Sequence, residues 1–355
     1  MFTQTLGKRV LAGRRINALA NLLTGPHGVD RYTELVEPTW TQGDARAKVI
    51  AVRRQTPRSV TLTLEPNEAF VGFRAGQHIN LSVEINGRRR TRCYSPASAE
   101  GSRYIELTIG RHDGGLVSSY LCDHAHPGMV LGLDSVGGDF VLPGRRPRRI
   151  LFVSGGSGIT PVMSMLRTLR AEGFTGQVAF VHYARSVEEA CYRDELDAMR
   201  GVRVLHGYTR DADGSDLDGH FGPAHLDVAM SDPEAVFACG PPALVDAIGE
   251  HCRNVSSESF VPPTFAVATE STGGTVTFSG SGIDVTDDGR PLLAQAEAAG
   301  LVPESGCRMG ICHSCTRFKS RGVVRNLITG AVSTADCEDI QICVTAPVGD
   351  VAIDL

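Results

Sequence analysis

From about residue 45 to residue 143, apolar and polar positions alternate in short runs separated by turn residues. The clearest runs are Ser59-Val60-Thr61-Leu62-Thr63-Leu64, Ile79-Asn80-Leu81-Ser82-Val83 and Tyr104-Ile105-Glu106-Leu107-Thr108-Ile109. A period of two rich in β-branched residues predicts half-buried strands, and several at short spacing predict an antiparallel barrel. From Arg149 the pattern changes. Ile150-Leu151-Phe152-Val153 is continuously apolar, and further apolar runs follow at Val178-Ala179-Phe180-Val181, Val202 to Leu205 and Val236-Phe237-Ala238. Between the first two lies a helical stretch, Pro161 to Ala171, closed by Gly173. Apolar strands alternating with helices predict a parallel sheet covered on both faces. Beyond Val261-Pro262-Pro263 a looser segment reads as a linker. Val276-Thr277-Phe278, Ile283-Asp284-Val285 and a short helix from Pro291 to Ala299 then lead into a cysteine-rich loop. The expected division is an N-terminal helical extension (1–44), a barrel (45–143), an α/β domain (144–262), a linker (263–273) and a C-terminal domain (274–355).

At 355 residues the chain has room for several domains, each able to bury its own core. The formal net charge of −5, without a basic run interleaved with aromatics, argues against a nucleic-acid binder. Ten cysteines without a secretory signal point to a reducing compartment, so a cytoplasmic location is expected. No apolar stretch approaches the length needed to span a bilayer. The start of the chain carries Lys8, Arg9, Arg14 and Arg15. Such a stretch could touch a membrane surface or a partner, but packing on its own neighbour with the arginines in water is the stronger expectation.

Cys307, Cys312 and Cys315 form C-x4-C-x2-C, and Cys343 follows within Gln341-Ile342-Cys343-Val344. This is the spacing of a plant-type [2Fe–2S] centre, in which four thiolates hold two irons. Gly306 and Gly310 suit a loop that must take unusual backbone angles and turn its amides to the sulfurs. Structural zinc favours two short Cys pairs, whereas here the fourth cysteine stands alone, and a disulfide framework does not suit a chain of this length. Cys337 competes for the fourth position, but Thr334-Ala335-Asp336-Cys337-Glu338-Asp339 would put carboxylates around an anionic cluster. Cys343 opens an apolar, strand-like segment running to Ile353, and is the preferred ligand.

Other motifs fall at the ends of the expected elements. Arg92-Cys93-Tyr94-Ser95 ends a barrel strand and offers a cation, a flat ring and a hydroxyl together, as a flavin requires. Gly115-Leu116-Val117-Ser118 opens a short helix whose free amides would attract phosphate. Gly155-Gly156-Ser157-Gly158-Ile159-Thr160-Pro161 ends the first parallel strand. Its glycines permit close approach of a pyrophosphate, Thr160 could cap the helix and Pro161 suits its first position. It is not the G-x-G-x-x-G fingerprint. Cys239-Gly240-Pro241 ends a later strand of the same sheet, where ligands of open α/β sheets bind. Arg185-Ser186 could hold an adenosine 2′-phosphate, which favours NADPH over NADH.

Taken together, and in this order, these motifs resemble the ferredoxin–NADP reductase superfamily, in the subgroup with a C-terminal ferredoxin domain, similar to phthalate dioxygenase reductases. The resemblance implies an antiparallel β-barrel for FAD, an α/β parallel-sheet nucleotide domain and a β-grasp ferredoxin domain. It implies that Arg92 contacts the FAD pyrophosphate, Tyr94 packs on the isoalloxazine and Ser95 lies near its reactive nitrogen. It places phosphate-binding amides at Leu116, Val117 and Ser118, and Cys239 beside the nicotinamide, so Ser95 and Cys239 are the expected catalytic residues. The stretch Gly25 to Tyr32 with Leu35-Val36-Glu37-Pro38-Thr39-Trp40 resembles actinobacterial reductases that serve acyl-CoA desaturases. The implied activity is electron transfer from NADPH or NADH, through FAD and a [2Fe–2S] cluster, to an external protein. A fatty acyl desaturase in the membrane is the leading acceptor, and a Rieske dioxygenase or another monooxygenase is the rival. The competing class is a non-enzymatic redox sensor, which has no need of its own hydride port.

Overall fold

The computed structural model describes residues 36–41, 43–211, 213–263, 265 and 273–355. The basic N-terminal stretch, Gly25 to Tyr32 and most of the expected linker lie outside the described residues.

Six strands form the first sheet: β1 (Arg46–Thr56), β2 (Ser59–Pro66), β3 (His78–Ile85), β4 (Arg88–Tyr94), β5 (Ile105–Gly110) and β6 (Val130–Gly137). Their order is β4-β3-β6-β1-β2-β5, all antiparallel. A bridge between Pro96, just past β4, and Leu107 of β5 brings the two edges together and closes the barrel. The alternation seen in the sequence is the reason. Leu62, Leu64, Ile79, Leu81, Ile105, Leu107 and Ile109 all point inward and are fully buried. Burial of each such side chain contributes about 2 kcal/mol. Helix α1 (Leu116–His124) packs against β2, β3, β4 and β5, sealing the barrel with Val117 and Leu121.

The second sheet is wholly parallel, in the order β10-β9-β8-β7-β11-β12. Its strands are β7 (Arg149–Gly155), β8 (Gln177–Ala184), β9 (Val202–Tyr208), β10 (Leu217–Asp218), β11 (Ala235–Cys239) and β12 (Val255–Glu258). The helices are α2 (Ile159–Ala171), α3 (Arg193–Asp197), α4 (Pro223–Met230) and α5 (Pro242–His251). Phe152, Phe180 and Phe237 fill one face of the sheet beneath α2. The chain runs outward from β7 to β8 and β9, then returns to β11 on the other side. The carboxyl ends of β7 and β11 therefore flank the topological switch point, where a crevice opens in sheets of this kind.

Helix α2 locks this sheet to the barrel. Arg167 donates from Nη1 to Glu106 of β5 at 2.6 Å and to the carbonyl of Ala97 at 2.8 Å, and from Nη2 to Glu195 at 2.5 Å. Ser164 donates to the carbonyl of Ser98 at 2.7 Å.

The third sheet has the order β14-β13-β18-β15-β16, with β17 also paired to β15. It contains β13 (Thr275–Phe278), β14 (Ile283–Thr286), β15 (Thr316–Asn326), β16 (Val332–Ser333), β17 (Glu338–Gln341) and β18 (Thr345–Ile353), with α6 (Leu292–Ala298) across one face. The pair β13–β18 is parallel and the others are antiparallel. Strand β15 carries four cations, yet it is central. The buried Lys319 is satisfied by Glu338 at 2.6 Å and by the carbonyl of Gly322 at 2.8 Å.

Candidate functional site

The crevice at the switch point is a cavity of ≈ 780 Å³ lined by both the barrel and the parallel sheet. The turn Gly156–Gly158 follows β7 and touches β5 of the barrel as well as β7 and β8. Glycine is required there by contact. A Cβ on Gly158 would lie 2.2 Å from the carbonyl oxygen of Cys239, and one on Gly155 would lie 2.9 Å from the rings and methyls of Pro241 and Leu244. Gly156 has φ +55°, a conformation that glycine takes without strain. The two strand ends thus meet backbone to backbone. The helix begins earlier than the sequence suggested. A short 3₁₀ turn runs directly into α2 at Ile159, so Thr160 and Pro161 are its second and third residues. Thr160 does not cap it; its hydroxyl donates to the carbonyl of Ser157 at 3.2 Å.

Cys239 is fully buried at the end of β11, and burial pushes its thiol well above the usual range. Directly across the β11–β12 pair sits Glu258, which sequence reading missed. The residue as a whole is half-buried, but its Oε2 is out of contact with solvent and has no hydrogen-bond partner. Loss of hydration raises its carboxyl to about 7. Nothing in Val255-Ser256-Ser257-Glu258 signals a site; only the strand register brings the acid to Cys239.

On the outer rim Arg185 and Arg210 both line the cavity, joined by a hydrogen bond from the amide of Arg210 to the carbonyl of Arg185 at 3.0 Å. Arg210 follows β9 as Arg185 follows β8, so reading the strand ends alike would have found it. Ser186 turns its hydroxyl to Glu188 at 2.8 Å and is not among the lining residues.

The barrel motif divides by strand alternation. Tyr94 packs onto the barrel core, and Ser95 is buried with its hydroxyl unpartnered. A sealed hydroxyl without a partner costs stability unless a bound group satisfies it, which suits a flavin edge. Arg92 donates from Nη1 to the carbonyls of Thr91 at 2.8 Å and Ser305 at 3.2 Å, so the cation lies where the barrel meets the cysteine loop. Cys93 points away from the tyrosine. Its S–H donates to Asn80 Oδ1 at 2.9 Å, and its sulfur faces Cys307 and Cys312. Its expected place among flavin contacts is corrected to the cysteine loop. Gly115 precedes α1 without any side-chain cap, and Ser118 accepts from the amide of His112 at 3.2 Å.

The four cysteines fall into two pairs. The amide of Cys307 donates to Cys312 Sγ at 3.2 Å and that of Met309 to Cys307 Sγ at 3.3 Å. Cys315 lies beside Cys343, whose thiol and amide hold the Cys315 thiol down at about 7. Arg308, Gly310 and His313 all have positive φ, which coils the loop inward. A Cβ on Gly306 would fall 2.6 Å from Cys312 Sγ. Cys343 is not in a strand, as expected, but in the turn between β17 and β18. Cys337 is exposed, and its sulfur faces the carbonyl of Ser320. Four sulfurs in two pairs, with backbone amides aimed at them, is a donor set that fits two bridged irons.

A family model for oxidoreductase FAD-binding domains matches residues 50–141, and one for oxidoreductase NAD-binding domains matches residues 152–250. The chain belongs to the ferredoxin–NADP reductase superfamily and is an NAD(P)H-dependent flavin oxidoreductase. It is 33% identical over 352 residues to the NADPH oxidoreductase of Mycobacterium tuberculosis, covering 96% of this chain and 92% of that protein. It is 27% identical over 358 residues to the glycine betaine monooxygenase reductase subunit of Pseudomonas aeruginosa, covering 89% and 96%. Among solved structures it resembles phthalate dioxygenase reductase, with TM-score 0.57 at 25% identity over 87% of this chain and 97% of that one. Among the described residues no helix is long and apolar enough to cross a membrane.

Proposed function

We propose that this chain is the reductase of a two-protein oxygenation or desaturation system, with NADPH as donor, FAD and a [2Fe–2S] cluster as resident cofactors, and an external protein as acceptor. When bound, the flavin supplies conversion of a two-electron donor into single electrons, and the cluster supplies a one-electron relay. The observation that carries the reading is the docking of the paired-cysteine loop directly against β4, the strand that holds Arg92 and Tyr94 and that Ser95 immediately follows.

In this reading Tyr94 offers the ring that packs on the flavin, the unpartnered Ser95 hydroxyl faces its reactive edge, and Arg92 with the first amides of α1 at Leu116, Val117 and Ser118 holds phosphate. The glycines at 155, 156 and 158 let the dinucleotide backbone approach, with Gly240 and Pro241 opposite. Cys239 and the buried carboxyl of Glu258 lie behind Gly240 and Pro241 at the nicotinamide end, where they help keep water from the hydride path. Arg185 and Arg210 offer charge-assisted contacts to a 2′-phosphate, which favours NADPH. Cys307 with Cys312 would hold one iron, and Cys315 with Cys343 the other, in a β-grasp ferredoxin domain built on the third sheet.

For the acceptor, the relatives that are reductase subunits of a glycine betaine monooxygenase and of a stachydrine N-demethylase support an oxygenase. A fatty acyl desaturase rests on the N-terminal stretch alone. The test is anaerobic purification with assay of FAD, iron and acid-labile sulfide, followed by NADPH-driven reduction of cytochrome c and of each candidate acceptor. Turnover supports a reductase. A fully loaded protein without NADPH turnover points to a redox sensor instead.

A further inference from the structure

Cys93, Cys307 and Cys312 place their three sulfurs within 4.8 Å of one another. Among the described residues no other group of three cysteine, histidine or carboxylate donors lies so close. Two of these thiols belong to the cysteine loop, and the third comes from the barrel. Alternation along β4 packs Tyr94 onto the barrel core and sends Cys93 to the opposite face, toward the loop. Cys93 is also held in place. Its register partner Asn80 accepts the S–H at 2.9 Å and donates from Nδ2 to Ser135 Oγ at 2.7 Å and to the carbonyl of Cys312 at 3.4 Å. One buried amide therefore fixes both Cys93 and the backbone of Cys312. Among the described residues Cys315 and Cys343 have no such third donor, and Cys337 is exposed and turned to Ser320.

We propose that Cys93 is a reserve iron ligand: a barrel thiol that can take the place of Cys312 on the iron shared with Cys307. The inference rests on the cluster proposed above. In the exchange the Cys93 S–H proton passes to solvent and an Fe–S bond forms to its sulfur. The Fe–S bond to Cys312 breaks, and the released thiolate takes up a proton. Four thiolates remain on the cluster, and no iron changes oxidation state. With Cys93 as ligand, the cluster is tied covalently to the strand that carries Tyr94 and leads into Ser95.

The test uses the full chain, purified anaerobically as wild type, Cys93→Ala, Cys312→Ala, the double variant and Cys315→Ala. Iron and acid-labile sulfide per chain, visible absorption and the EPR spectrum after dithionite reduction are read, with FAD content as the control for folding. Cys93→Ala keeps the wild-type load, since the four loop ligands remain. Cys312→Ala keeps a cluster with altered g-values, whereas the double variant and Cys315→Ala lose iron by about tenfold or more. The proposal is overturned if Cys312→Ala empties while retaining FAD, or stays equally loaded when Cys93 is also removed. If Cys312→Ala loses FAD, Cys307→Ala puts the same choice to Cys93 on the same iron. A wild type without iron or sulfide overturns the parent reading and this one with it; a loaded wild type with an emptied Cys312→Ala overturns this one alone.

Discussion

Glu258 gives the sharpest prediction, because its cost can be worked from its surroundings. The carboxyl is held at about 7 against an ordinary 4.5, and the cause is burial, with no cation beside it. Each pH unit of such a difference corresponds to about 1.4 kcal/mol, so ionising Glu258 in the folded protein costs about 3 kcal/mol. The sign follows from proton binding. Below pH 4.5 the acid is neutral folded and unfolded, and no penalty exists. As pH rises to about 7 the unfolded chain releases its proton and the folded chain does not, so stability falls; above 7 the loss is complete. Glu258→Gln keeps the shape and removes the titration. Native-state hydrogen exchange of the β11 amides, Val236 to Cys239, reports the local opening free energy without assuming that the whole multidomain chain unfolds in one step. The variant matches the wild type near pH 4.5 and exceeds it by up to about 3 kcal/mol at pH 8. A difference between the two proteins that does not change with pH would refute the reasoning.

Arg167→Ala strips the cation from Glu106 and Glu195 at the seam between barrel and parallel sheet. With those acids partly solvated, a loss of about 2–3 kcal/mol is expected in urea unfolding followed by flavin release, at unchanged salt. Arg185→Ala combined with Arg210→Ala raises KM for NADPH by about tenfold or more while leaving KM for NADH within about twofold, as steady-state ferricyanide reduction will read. Cys343→Ser abolishes cytochrome c reduction, retains NADPH-to-ferricyanide activity and changes the cluster spectrum. An unaltered spectrum would show that another residue supplies the fourth ligand.

Alternation made β2, β3 and β5 legible, and uninterrupted apolar runs made β7, β8 and β11 legible, because in both cases burial dictates the residue at every position. Strand β1, Arg46–Thr56, was not singled out, since its arginines fan into solvent around a few inward residues. Strand β15 hid its centrality behind cations, one of which, Lys319, is buried with a partner far along the chain. The motifs stood out where glycine or cysteine chemistry constrains the local chain. Glu258 depends on which strands become neighbours, and no local pattern encodes that, whereas Arg210 and the orientation of Cys93 had local signals in the strand ends and in strand alternation. The capping assignment at Thr160 failed for a related reason: a 3₁₀ turn added residues ahead of the helix that composition does not reveal.

The backbone contact between Gly158 and Cys239 separates what can drift in this enzyme from what cannot. Two chain crossings, 81 residues apart, interlock with no room for even a methyl group, so neither can be remodelled alone. In the proposed function, adaptation to a different pyridine nucleotide is left to the periphery, where Arg185 and Arg210 line the cavity from two loops joined by a backbone hydrogen bond. The chain can change its fuel without touching the place where it is burned.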